Sequence, residues 1–418
     1  MEKIIIEGQR ELSGTIEING AKNSAVALLP AAILSDEETI INKIPNITDV
    51  SVLKEIILLL KGKVIENKGQ MIIDSHDIGN TTIPETLSNK LRASYYFMGA
   101  LLAKFHHVEI YFPGGCNFGA RQIDFHLKGF ENLGATITLE GEKYIIDAKE
   151  LSGAEINLDF PSCGATINIM LAATKAKGTT IINNAAKEPE IVNVAEFLNK
   201  MGAKIEGAGT ETIRITGVEY LGKASIDVIP DRIEAGTYLI AGALLGKDLK
   251  ITNIIPEHIE ALLTKLKLMN VEFTLNKNEI VINKCENLKP IDIKTEVFPG
   301  FPTDLAQPIC VLLAHADGLS HIEETIYEKR MGHVEYLNKM GASIEIENNR
   351  EKINGPIKFK GQDVQASDLR AGATLFLAAL TAEGTTTITN IQYILRGYDK
   401  LVSKLSDVGA KISIKEIE

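Results

Sequence analysis

The sequence predicts an α/β protein of six similar units, grouped as two domains of three. Two series of extended segments carry this reading. One begins after small turns at Gly62, Gly134, Gly202, Asn270, Gly341 and Gly409, and the other opens at Ile40, Glu109, Ile181, Ile251, His321 and Ile388. Both recur about every 70 residues, and self-similarity at a fixed period is the mark of a repeat architecture. The third observation is a set of helical stretches with no polar face, among them Ala165 to Thr174, Ala235 to Leu245 and Ala371 to Leu380. A helix that is apolar all round belongs inside a core.

Within a unit the elements follow in a fixed order. Extended segments rich in β-branched residues come first, such as Ile213-Arg214-Ile215 and Ala224 to Val228. The apolar helix follows, then a strand of the second series. An amphipathic helix comes next, for example Glu190 to Leu198, opened by Pro189 and stopped by Gly202. Strands around one buried and one surface helix predict sheets that face solvent and helices that lie largely inside. The midpoint falls near Asp227-Val228-Ile229-Pro230-Asp231, where a proline and a polar pair interrupt the pattern. Lys3 to Ile18, read as a hairpin, resembles Ile213 to Val228 in position, so the period alone leaves open which domain it joins.

Composition narrows the class. The 418 residues are 45% hydrophobic and 24% charged, which suits soluble globular domains and excludes a disordered or collagen-like chain. Ser24 to Leu34, the longest uncharged apolar stretch near the start, is far short of the roughly 20 residues that span a bilayer. Charge breaks Met1 to Glu7 too early for a secretory signal, so a cytoplasmic location is expected. The formal net charge of -11 opposes binding to nucleic acid or to an anionic membrane. Cys116, Cys163, Cys285 and Cys310 are widely spaced, and no C-x-x-C or H-E-x-x-H occurs, so neither a disulfide framework nor a zinc site is expected.

Candidate chemistry lies at the junctions. Loops entering the apolar helices contain Lys22, Arg92, Ser162, Arg232, Asp304 and Asp368 with Arg370; loops leaving the second-series strands contain Cys116, Arg121, Arg330 and Arg396. A helix amino terminus beside a guanidinium suits phosphate or carboxylate, because the dipole and the bidentate fork both favour an anion. The competing uses are ordinary ones. Asp304 and Asp368 stand where helix caps stand, and any one arginine could serve a surface ion pair. Lys22 is harder to explain that way, since a cation at a helix amino terminus is unfavourable unless an anion joins it.

Three stretches are more specific: Asn19-Gly20-Ala21-Lys22-Asn23, Pro113-Gly114-Gly115-Cys116-Asn117-Phe118-Gly119-Ala120-Arg121 and Phe301-Pro302-Thr303-Asp304. With Ala366-Ser367-Asp368-Leu369-Arg370 and Arg396-Gly397-Tyr398, they closely resemble the UDP-N-acetylglucosamine 1-carboxyvinyltransferases of the enolpyruvyl transferase family. The likeness runs over essentially the whole chain. It implies two inside-out α/β barrel domains, residues 20–229 with a lid loop and residues 1–19 plus 230–418. It also implies transfer of the enolpyruvyl group of phosphoenolpyruvate to the 3-hydroxyl of UDP-N-acetylglucosamine, with release of phosphate, at the start of peptidoglycan precursor synthesis. No metal or redox cofactor is implied.

The same resemblance assigns residues. Lys22, Arg121 and Arg396 would contact phosphoenolpyruvate, with Arg92, Arg330 and Arg370 completing a basic site. Cys116 would be the reactive thiol, protonating C3 and open to the epoxide antibiotic fosfomycin. Asp304 would accept the proton of the sugar hydroxyl. Asn23, Asp124, Ser162, Gly164, Ile326 and Asp368 would help to hold the nucleotide sugar. Phe160 departs from the pattern, since some members have lysine there near the diphosphate. The sister transferase acting on shikimate 3-phosphate should lack the P-G-G-C lid, and an RNA 3'-phosphate cyclase would need a basic RNA-binding face. A non-catalytic scaffold would have no use for Lys22, Cys116, Asp304 and Arg396 together.

Overall fold

The computed structural model describes residues 2–114 and 123–416. Contacts divide the chain into two compact units, Gly20–Ile229 and Met1–Asn19 with Pro230–Glu418. Each has its own hydrophobic core.

The described residues form six four-stranded sheets, three to a unit, and each uses the same scheme. In the sheet of Glu155–Asn157, Thr179–Asn183, Thr212–Thr216 and Lys204–Glu206, the first two strands are parallel and the others antiparallel. Cys163–Ala173 makes the crossover between the parallel pair, as a parallel connection requires. Nine of its eleven residues are buried. Helices Lys22–Ala32, Tyr96–Phe105, Arg232–Leu245, Thr303–Ala314 and Leu369–Thr381 are likewise nearly all buried, so each core is built from helices without a polar face. The strands alternate instead. Thr179–Asn183 buries Thr180 and Ile182 and turns its other residues outward, and Ile65, Leu139, Leu275 and Ile346 on outer strands are exposed.

One pairing breaks the simple repeat. The strand Ala224–Asp227 runs directly into the helix Arg232–Leu245, yet it pairs in parallel with Thr39–Asn42 and so completes the first sheet of Gly20–Ile229. Its counterpart Thr15–Glu17 pairs in parallel with Leu249–Thr252 of the other unit. The preceding strand, Glu2–Glu7, sits antiparallel between Thr385–Thr389 and Lys411–Glu416. The two strands of the opening segment therefore serve different sheets and form no hairpin, and the exchange supplies the fourth strand of two sheets, one in each unit. Among the described residues, no helix is long and apolar enough to cross a membrane.

Candidate active site

Asp304 stands at the second residue of Thr303–Ala314, whose amino-terminal cap position holds Pro302 and has no side-chain cap. Its carboxylate does not cap the helix. Oδ1 accepts from Arg330 Nη1 at 2.7 Å and Oδ2 from Arg370 Nη2 at 3.0 Å. Both arginines are buried. Burial by itself would raise the Asp304 carboxyl, but the two guanidiniums outweigh it and hold the group well below the usual carboxylate range.

Each arginine is fixed by a further partner. Arg330 Nη1 also donates to Thr303 Oγ1 at 3.1 Å, and its carbonyl accepts from Gln307 Nε2 at 2.9 Å. Arg370 lies over the ring of Tyr398, whose hydroxyl is 3.4 Å from Nη1 and 2.9 Å from Thr237 Oγ1. Asp368 is the helix cap that its position allowed: Oδ1 accepts from the backbone N–H groups of Arg370 and Ala371 at 2.8 and 3.1 Å. It thereby fixes the turn that carries Arg370. Arg396 ends the short helix Ile391–Arg396 and is half-buried. The next residue, Gly397, lets that turn close on Leu369, since a Cβ there would lie 2.7 Å from Leu369 Cδ2.

Glu324 is the residue of this unit that sequence reasoning missed. Buried, it accepts from Thr295 Oγ1 at 2.9 Å, Thr303 Oγ1 at 2.7 Å, Ile326 N at 2.8 Å and Tyr327 N at 2.9 Å. One carboxylate thus joins the loop of Ile326 and Arg330 to the first turn that presents Asp304. A lone glutamate in a loop gives no signal of this in sequence.

The unit Gly20–Ile229 holds the other assigned residues. Lys22 opens Lys22–Ala32, and its ammonium pairs with buried Asp49 at 3.0 Å. That is the anion a cation at a helix amino terminus requires. Asn23, beside it, is half-buried. Next to it Ser24 bonds Asn193, which also donates to the carbonyl of Asp227 at 3.2 Å, tying this turn to the strand of the exchange.

A second cluster forms where Asp124–Asn132 packs on Cys163–Ala173. Asp124 is exposed at the start of its helix, and the Ser162 hydroxyl caps the other by accepting from Ala165 N at 3.3 Å. Gly164 is needed for close approach: a Cβ there would sit 2.7 Å from Tyr95 Oη and 3.1 Å from His126 Cε1. Asn168 holds this junction, donating to Tyr95 O at 2.8 Å and to His126 Nδ1 at 3.0 Å while accepting from Gly99 N at 2.8 Å. Arg92 lies 5.7 Å over the Tyr95 ring. Burial, with the Arg92 charge adding to it, pushes His126 down to about 3, so its ring is neutral. The structure thus brings Arg92 and Gly164 beside one neutral histidine, two residues from Asp124. Phe160 is exposed in the loop before Ser162. Cys116 and Arg121 lie outside the described residues.

Comparison with known proteins identifies the family. Residues 6–405 match the family of EPSP synthase (3-phosphoshikimate 1-carboxyvinyltransferase). A UDP-N-acetylglucosamine 1-carboxyvinyltransferase 2 of Listeria monocytogenes is 50% identical over 412 residues, covering 99% of this chain and 97% of the relative. Its namesake from Bacillus subtilis is 49% identical, covering 99% and 96%. Among solved structures, the enolpyruvyl transferase NikO from Streptomyces tendae superposes with a TM-score of 0.92 at 26% identity, covering 100% of this chain and 99% of that one. An EPSP synthase from Acinetobacter baumannii has a TM-score of 0.75 at 17% identity, covering 99% and 100%, a likeness of fold alone. The chain belongs to the EPSP synthase family and, within it, to the UDP-N-acetylglucosamine 1-carboxyvinyltransferases.

Proposed function

We propose that the protein is a cytoplasmic enzyme that transfers the enolpyruvyl group of phosphoenolpyruvate to the 3-hydroxyl of UDP-N-acetylglucosamine and releases phosphate. The observation that carries this reading is Asp304 held between Arg330 and Arg370, in a chain half identical to transferases of that name. In the reaction the sugar oxygen attacks C2 of phosphoenolpyruvate while C3 takes a proton, giving a phosphorylated ketal. Loss of phosphate, with return of a C3 proton to the enzyme, restores the enol ether on the sugar. The first step needs a base at the hydroxyl and an acid at C3, each worth about 10² to 10⁴ in rate.

Asp304 takes the hydroxyl proton and Cys116 supplies the acid. With both oxygens held by guanidiniums, Asp304 is ionised but a weak base. An arriving phosphate or carboxylate competes for Arg330 and Arg370, and each contact they give up raises the basicity of Asp304. Substrate binding thereby activates its own base. Lys22, Arg121 and Arg396 bind phosphoenolpyruvate, and the arginines stabilise charge on the departing phosphate. Asn23, Asp124, Ser162, Gly164 and Ile326 hold the nucleotide sugar, with Asp368 acting through the turn of Arg370.

Phosphate release separates this reading from its neighbour. With phosphoenolpyruvate present, UDP-N-acetylglucosamine should support turnover and shikimate 3-phosphate should not. Release with shikimate 3-phosphate alone would assign the chain to the sister activity.

A further inference from the structure

Behind Asp304, on the same helix, three possible metal ligands converge. Cys310 Sγ, a ring nitrogen of His333 and a carboxylate oxygen of Glu351 lie within 4.8 Å of one another. All three residues are buried. They come from the helix Thr303–Ala314, the first turn of His333–Lys339 and the strand Arg350–Gly355. Motif spacing therefore could not reveal them, and the expectation that the chain has no zinc site rested on spacing.

Two features mark the cluster as unfinished. His333 Nδ1 is buried without a hydrogen-bond partner, and His333 Nε2 and Glu351 Oε2, also buried, face each other as an ion pair without hydrogen-bond geometry. Buried polar atoms are rarely left so, because the water they lose is not replaced. Among the described residues, the one ion pair of Glu351 is with His333, so no lysine or arginine balances it. The separation of His333 Nε2 from Glu351 Oε2 is 3.3 Å. That suits a shared tetrahedral ion, because bonds of about 2.0 to 2.1 Å place two ligands about 3.3 to 3.4 Å apart.

We propose that Cys310, His333 and Glu351 bind a structural divalent cation of the zinc class. Thiolate, imidazole and carboxylate together suit a borderline-soft ion better than calcium or magnesium, which take oxygen ligands. The ion bonds to Sγ as the thiol proton leaves to solvent, and its charge balances Glu351. Three protein ligands leave one tetrahedral position. His333 follows Arg330 by three residues, and Cys310 follows Asp304 by six. The ion would tie together the two segments that make the Asp304–Arg330 pair. Because the ligands are buried, it is loaded as the chain folds.

The test uses a full-length variant carrying C116S, C163A and C285A, in which Cys310 is the sole thiol. It is produced in cobalt-supplemented minimal medium and purified without chelators. The expected result is one cobalt per chain, with a sulfur-to-cobalt charge-transfer band in the near ultraviolet and the strong visible bands of a tetrahedral ion. Adding Cys310→Ala should abolish the charge-transfer band. Glu351→Gln, checked as folded by circular dichroism, should lower the metal content. Absence of cobalt from the sole-thiol protein, or a charge-transfer band that survives Cys310→Ala, would overturn the site.

Discussion

Arg370 reaches from the first turn of its own buried helix to Asp304 on another, its Nη2 donating to Oδ2 at 3.0 Å. With Arg330 on the other oxygen, one carboxylate accepts from two buried guanidiniums. Asp304→Asn keeps the shape and removes the charge. It should lower kcat by about 10² or more through loss of the base. It should also cost about 3 kcal/mol of stability, because two buried guanidiniums lose the carboxylate they share. Steady-state kinetics and urea unfolding check the two effects. A variant of unchanged stability would mean that the triad contributes nothing to the fold.

Arg396→Lys keeps a positive charge but loses the fork. If Arg396 binds phosphoenolpyruvate, losing that charge-assisted contact costs about 2 to 5 kcal/mol, or at least roughly thirtyfold in kcat/KM. Activity within threefold of the parent protein would place Arg396 outside the site.

Cys116 sits in a glycine-rich stretch five residues before Arg121, and nearby cations favour thiolate. Fosfomycin, as an epoxide phosphonate, should alkylate it ahead of Cys163, Cys285 and Cys310, and faster with UDP-N-acetylglucosamine present. Cys116→Asp should escape the drug and keep turnover, since a carboxylic acid can still donate a proton, whereas Cys116→Ala should lose most activity. Peptide mass spectrometry decides the point. An adduct on another cysteine, or full activity in Cys116→Ala, contradicts the role.

His126 links stability to pH. Its folded value is about 3 against an ordinary 6.5, with burial the main cause and Arg92 the second. Between those values the unfolded chain binds the extra proton. The stabilisation is therefore complete above pH 6.5 and falls on acidification by about 1.4 kcal/mol per pH unit. His126→Gln removes this titration, so its urea midpoint should depend less on pH between 6.5 and 5. Equal pH dependence in the two proteins would show that His126 is not held neutral.

Much of the fold was legible because its signals are local. The apolar helices announced themselves by lacking a polar face, and the strand series by their period. The exchange of Ala224–Asp227 and Thr15–Glu17 was not legible, since a period gives the order of strands and not their partners. The same limit applies at the site. Lys22 called for an anion, but nothing in the sequence singled out Asp49, and an aspartate before a helix reads alike whether it caps, as Asp368 does, or pairs, as Asp304 does. Glu324 and Asn168 were missed because their importance lies in partners distant along the chain.

The most direct measurement of the central claim is the identity of the product formed from phosphoenolpyruvate and UDP-N-acetylglucosamine, read by mass spectrometry and NMR alongside released phosphate. The account predicts UDP-N-acetylglucosamine bearing an enolpyruvyl ether on its 3-oxygen, with one phosphate released per product and almost none from Asp304→Asn. No new ether, or an enolpyruvyl group attached elsewhere, would contradict it.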